Sequence, residues 1–106
     1  MAALTVERKL TAVLSADVKG YSRLMGEDEV GTLRTLTAYR EAADSFIQRH
    51  RGRIVGTAGD SVLAKFASAV DAVQCAVEIQ QELKGKNAEL PPDRRMEFRI
   101  GTMWVT

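Results

Sequence analysis

The sequence predicts an α+β fold with the βαββαβ order of a ferredoxin-like sandwich. Three patterns lead to it. A short, nearly continuous apolar run precedes Asp17. Two longer segments carry apolar residues at helical spacing. The stretches between and after those segments alternate apolar and polar residues with period two.

Taken in order, Lys9 to Asp17 holds Leu10, Ala12, Val13, Leu14 and Ala16. This run is too short for a helix and fits a strand buried on both faces. Val18 to Ser22 reads as a turn, with Gly20 free to take a positive φ. A long helical region follows. Glu27, Asp28 and Glu29 place negative charge at its N-terminus, and Val30, Leu33, Leu36, Tyr39, Ala43, Phe46 and Ile47 form its apolar series. His50-Arg51-Gly52 supplies a cationic end followed by a glycine stop. Gly52 to Phe66 reads as two strands around a turn at Ala58-Gly59-Asp60. Val62, Ala64 and Phe66 share one face there, with Leu63 and Lys65 on the other. Ser68 is expected to N-cap a second helix, with Asp71 placed to reach back. Its expected inner face is Val70, Val73, Ala76, Val77, Gln80 and Leu83, flanked by Cys75 and Ile79. Gly85 to Pro92 is a loop. Arg94 to Val105 reads as the last strand, where Met96, Phe98 and Ile100 alternate with Glu97 and Arg99.

The 106 residues suit one domain, taken as 1–106. Apolar residues are 45% and charged residues 27% of the chain, which is ordinary for a globular protein. The formal net charge of +1 gives no reason to expect a nucleic-acid or anionic-membrane partner. Arg49, Arg51 and Arg53 around His50 read as a solvated helix end. Cys75 is alone, so no internal disulfide forms, which suits a cytoplasmic location. No apolar run approaches the length that spans a bilayer. Met1 to Leu10 carries Glu7, Arg8 and Lys9 and does not resemble a secretory signal. The lone His50 lacks the partners of a zinc site.

In the βαββαβ topology the first and third strands are central, antiparallel neighbours. Asp17 ends the first, and Asp60 opens the third, so the two carboxylates are expected to meet. Paired carboxylates on rigid strand ends suit a hard cation such as magnesium or manganese, which completes its shell with water or phosphate oxygens. The turn at Gly20 would present backbone N–H groups nearby, as an anion site does. Taken alone, an aspartate at a strand end is usually structural, and Gly20 and Gly59 are in most cases turn residues.

Longer motifs add to this reading. Arg8 to Met25 contains Ala16-Asp17-Val18-Lys19-Gly20-Tyr21-Ser22 after its apolar strand. This resembles the first catalytic strand and turn of class III adenylate/guanylate cyclases of the bacterial type. Gly52-Arg53-Ile54-Val55 with Gly59-Asp60-Ser61-Val62-Leu63-Ala64-Lys65-Phe66 is similar to the second and third strands of that family. Ala69 to Gln80 resembles its next helix, and Phe98-Arg99-Ile100-Gly101 the opening of the strand after it. The resemblance runs from about Arg8 to Gly101.

It implies a two-metal site of Mg2+ or Mn2+ on Asp17 and Asp60, with Val18 offering its backbone carbonyl. It implies phosphate binding by the turn through Val18, Lys19, Gly20, Tyr21 and Ser22, with Gly59 beside it. The implied substrate is ATP or GTP, cyclised by attack of the ribose 3′-oxygen on the α-phosphorus with release of pyrophosphate. A head-to-tail homodimer, with each site drawing on both copies, is implied as well.

Two features depart from the pattern. Four residues before Asp60, where many adenylate cyclases carry a base-contacting lysine, stands Gly56. After Gly101 the expected Ile-Asn-x-Gly is replaced by Thr102-Met103-Trp104-Val105-Thr106. A premature stop, a shifted frame or excision from a longer chain would each give that tail. The expectation is therefore a core truncated after the fourth strand. It would have an exposed sheet edge and apolar surface and weak or no turnover by itself. The alternatives are a non-catalytic nucleotide-binding or regulatory module of the same fold, and a ferredoxin-like interaction domain without a ligand.

Overall fold

The computed structural model describes residues 11–105; Lys9 and Leu10 of the expected first strand lie outside the described residues, as do the rest of Met1 to Leu10 and Thr106. The elements are β1 (Thr11–Val18), α1 (Tyr21–Glu27), α2 (Glu29–Arg49), β2 (Arg53–Ala58), β3 (Ser61–Phe66), α3 (Ala69–Ala88), a 3₁₀ turn (Pro92–Arg94) and β4 (Phe98–Val105). The four strands form one sheet in the order β2-β3-β1-β4, with every pairing antiparallel. This is the ferredoxin-like arrangement expected, with β1 and β3 at the centre.

Alternation sets the two faces of the sheet. Ala12, Leu14, Ala16 and Val18 of β1 and Val62, Ala64 and Phe66 of β3 are buried under the helices. Leu36, Tyr39, Ala43 and Ile47 of α2 and Ala72, Cys75, Ile79 and Leu83 of α3 complete that core. Ser15, Leu63 and Arg99 lie exposed on the opposite face.

The expected turn at Val18 to Ser22 is shorter than the sequence reading. Val18 is the last residue of β1, and Tyr21 and Ser22 already belong to α1. Gly20 takes φ 68° and starts that helix, so the positive φ falls where expected. The acidic helix start is also found: Asp28 is extended, and its side chain accepts from the Gly31 N–H at 3.0 Å.

The inner faces of both long helices are rotated from the expected ones. On α2, Val30 and Leu33 are exposed and Thr32 is wholly buried. The hydroxyl of Thr32 donates to the Leu24 carbonyl at 2.8 Å and accepts from Arg94 Nη2 at 2.7 Å, so a polar side chain takes the core position. On α3, Cys75 and Ile79 are core, while Val70, Val73 and Val77 form an exposed stripe (Val70 is 64% exposed). Small Ala72 and Cys75 allow close approach to the sheet, which turns the valines outward. Gln80 is exposed as well, although its side chain donates to the Phe98 carbonyl at 2.9 Å.

Four other local expectations are corrected, the first being the loop from Gly85, since α3 runs on to Ala88. His50 is not part of a solvated end: its side chain is largely buried and contacts Glu78 of α3. The last strand begins at Phe98, not Arg94. Pro92 starts a 3₁₀ turn, and Met96 is held instead by Asn87, which accepts from the Met96 N–H at 3.0 Å and donates to its carbonyl at 2.9 Å. The helix stop is made by Arg51, at φ 63°, rather than by Gly52. Gly52 serves a different end, because a Cβ there would lie 2.4 Å from the Phe66 ring.

β4 ends the sheet on one side, with Met103, Trp104 and Val105 exposed, and β2 ends it on the other. Among the described residues the expected exposed edge and apolar surface are both present. No helix among the described residues is long and apolar enough to cross a membrane.

Candidate functional site

The β1–β3 register pairs Ala16 with Val62, so the end of β1 lies beside the start of β3. Asp60, at the β2–β3 turn, closes the gap. Its Oδ2 accepts the Val18 N–H at 2.7 Å. One residue earlier, Asp17 stands opposite Arg99 of β4 in the β1–β4 ladder. Arg99 grips Asp17 with two bonds, Nε to Oδ1 at 2.8 Å and Nη2 to Oδ2 at 3.1 Å. The Arg99 guanidinium is pushed above its ordinary pKa, first by the hydrogen bond and charge of Asp17, with the charge of Asp60 adding to them. The fold thus collects Asp17, Asp60 and Arg99 at one end of the sheet.

A cavity of about 610 Å³ opens on the helix-free face there, lined among others by Ser15, Asp17, Gly56, Leu63 and Arg99. Arg99 is the one cationic side chain in its lining among the described residues. The bulge in β2 falls between Ile54 and Gly56, and a Cβ at Gly56 would meet nothing within 4 Å. The glycine that departs from the cyclase pattern is therefore open space in the cavity, not a packing requirement.

The turn is a second element of the candidate site. The Lys19 N–H donates to the Glu97 carbonyl at 2.9 Å, and the Val18 N–H is taken by Asp60. Those two amides are committed to the fold. The first N–H groups of α1, from Tyr21 onward, have no carbonyl within their own helix to meet. Of the expected phosphate-binding residues, Tyr21 and Ser22 therefore keep the donors best suited to that use. Lys19 contributes its ammonium, which lies 4.0 Å from Glu97 and is largely exposed. Gly59, at φ 55°, makes the hairpin tip that carries Asp60.

Asp17, Asp60 and the Val18 carbonyl would offer only oxygen donors, which suit a hard divalent cation. No group of three or more His, Cys, Asp or Glu side chains converges among the described residues, so water or ligand oxygens would complete the shell. Arg99 competes for the same Asp17 oxygens and would have to release them. Arg99 entered the sequence reading only as a strand residue. Its position on β4 opposite Asp17 follows from the strand order, and the opposite charges were the available signal. Arg40, which reaches the hairpin tip from α2, had no such signal.

The fold is shared with a solved adenylyl cyclase, CyaB from P. aeruginosa, at a TM-score of 0.76 and 21% identity. An adenylate/guanylate cyclase/hydrolase from Silicibacter pomeroyi superposes at a TM-score of 0.83 and is 42% identical over 93% of this chain. In sequence and fold the chain matches a domain of the class III nucleotidyl cyclases. Within that class it is 43% identical, over 102 residues and 95% of its length, to "Putative adenylate cyclase 3" of Rhizobium meliloti (strain 1021). It spans 17% of that protein and 58% of the Silicibacter chain. No protein-family model matches it.

Proposed function

We propose that this chain supplies the metal- and phosphate-binding part of a purine nucleotidyl cyclase site, acting on ATP or GTP with Mg2+ or Mn2+. One observation carries the reading: the Asp60 carboxylate bonds to the backbone of the residue next to Asp17, with Arg99 within the field of both acids.

Asp17, Asp60 and the Val18 carbonyl would hold the divalent cations. Bound there, the cations would neutralise phosphate charge and activate the ribose 3′-oxygen. Arg99, once released from Asp17, carries a fixed positive charge into a cavity that otherwise lacks a cation, and the triphosphate is the group it suits. The N–H groups of Tyr21 and Ser22 orient the same phosphates from the turn. The fold keeps Asp60 fixed through the Val18 bond, so the reorganisation needed to accept a ligand falls on the Asp17–Arg99 pair.

Cyclisation also needs donors that recognise the base and stabilise the leaving pyrophosphate. Gly56 offers no side chain for the first, and among the described residues lining the cavity Arg99 is the cation for the second. The reading is therefore of nucleotide binding with weak or no turnover by the chain alone. In a head-to-tail homodimer each site would draw on both copies of this same sequence. Titration calorimetry with Mn2+ and each nucleotide tests this. Binding that is lost in Asp17→Ala supports it, and no heat with either nucleotide refutes it in favour of an interaction domain. Cyclic nucleotide produced well above the Asp17→Ala background would refute the claim of weak turnover.

A further inference from the structure

Asp60 sits at the tip of the β2–β3 hairpin, beyond the last ladder pair of Ala58 with Ser61. Its carboxylate is anchored by the Val18 N–H. Its backbone is held by a different residue. Arg40, on α2, donates through Nη2 to the Gly59 carbonyl and, at 3.3 Å, to the Ser61 carbonyl. Those two carbonyls bracket Asp60 in the chain.

The Arg40 Nε is buried and has no partner among the described residues. Burying a guanidinium N–H unpaired costs stability. The contact is therefore poorly explained as a stabilising surface interaction. It does, however, fix the path of the chain on both sides of one carboxylate. A planar, permanently charged fork suits two carbonyl acceptors better than an ammonium does.

We propose that Arg40 is a positioning residue for Asp60, holding the hairpin tip so that the carboxylate meets a metal in one geometry. This rests on the reading of Asp17 and Asp60 as a metal site. The sign of the effect separates positioning from simple charge. An unattached cation near a divalent metal weakens metal binding, so deleting it would tighten binding. Deleting a positioning group loosens the ligand and weakens binding.

The test measures Mn2+ affinity of the full chain by calorimetry in the wild type, Arg40→Met, Arg40→Lys and Asp60→Asn. It also measures amide hydrogen exchange at Gly59 and Ser61. Arg40→Met keeps much of the apolar stem and is expected to weaken Mn2+ binding about tenfold, as loss of an outer partner of a metal ligand does. Arg40→Lys is expected to fall between the two. Exchange at the tip is expected to rise about tenfold or more in Arg40→Met, with the amides of Leu14 and Ala64 unchanged. Mn2+ binding as tight as wild type or tighter in Arg40→Met overturns the proposal. Equal Mn2+ affinity in wild type and Asp60→Asn overturns the metal reading instead. Exchange then decides the positioning role: a mobile tip in Arg40→Met supports it, and an unchanged tip overturns it.

Discussion

Asp60 has two separable tasks, and two substitutions divide them. Its Oδ2 satisfies the N–H of buried Val18 at 2.7 Å, while its charge is what a metal requires. Asp60→Ala removes both. It leaves the Val18 N–H short of an acceptor, which costs about 1–3 kcal/mol. Asp60→Asn keeps an amide oxygen able to accept the same bond. It loses only charge assistance, about 0.5–1 kcal/mol, and relief of repulsion from Asp17 reduces that further. For a domain of this size each kcal/mol moves the melting temperature by about 4–8 °C. Asp60→Ala is thus expected to melt about 5–20 °C below wild type and Asp60→Asn no more than about 5 °C below. Both are expected to lose Mn2+ binding. Urea and thermal melts followed by circular dichroism, paired with Mn2+ calorimetry, read the two effects separately. An Asp60→Ala variant as stable as Asp60→Asn would refute the structural half. Wild-type Mn2+ affinity in Asp60→Asn would refute the ligand half.

The remaining predictions concern the core and its edges. The Cys75 thiol is pushed up to about 11 from 9.0, mainly by burial and then by the charge of Glu78. The folded state therefore holds that proton more tightly. The stabilisation is complete below about pH 9 and lost as pH rises towards 11, by up to roughly 3 kcal/mol. Urea midpoints of wild type and Cys75→Ala across this range should converge at alkaline pH, and a constant difference would count against the argument. Gly52→Ala puts a Cβ 2.4 Å and 2.6 Å from Phe66 ring atoms and 2.9 Å from Ile47 Cγ2, so a loss of about 1–3 kcal/mol is expected in denaturant. Unchanged stability would show that the core yields there. Thr32→Val keeps the shape but leaves one Arg94 donor unpaired and takes the hydroxyl from the Leu24 carbonyl, which retains the Asp28 N–H. A loss of about 2–3 kcal/mol and faster amide exchange in α1 should follow, while a neutral result would rule out the buried hydroxyl as the anchor of that corner.

Element order and strand pairing were legible because period-two and helical patterns alternate cleanly along the chain, and the βαββαβ topology then brings Asp17 to Asp60. The helix faces were not. Apolar counting favoured Val70, Val73 and Val77, whereas packing close to the sheet selected Ala72 and Cys75, and the core position at Thr32 is polar because Arg94 and Leu24 satisfy its hydroxyl. Short α1 was hidden because its seven residues lack an apolar period. Arg99 was placed on the right strand but given no partner, since its role depends on β1–β4 register rather than on neighbours in sequence. Arg40 acts across two elements through backbone carbonyls, which no side-chain pattern records.

The register that sets Thr11 against Val105 has a mechanical consequence. The chain enters β1 and leaves β4 side by side, about 20 Å along the sheet from Asp17. Tension applied through both ends would load the β1–β4 ladder as a zipper, one rung at a time, beginning far from the site. Arg99 and Asp17 are the second-to-last pair in that ladder, so a tethered domain could be tugged and partly peeled while its acidic end stays closed.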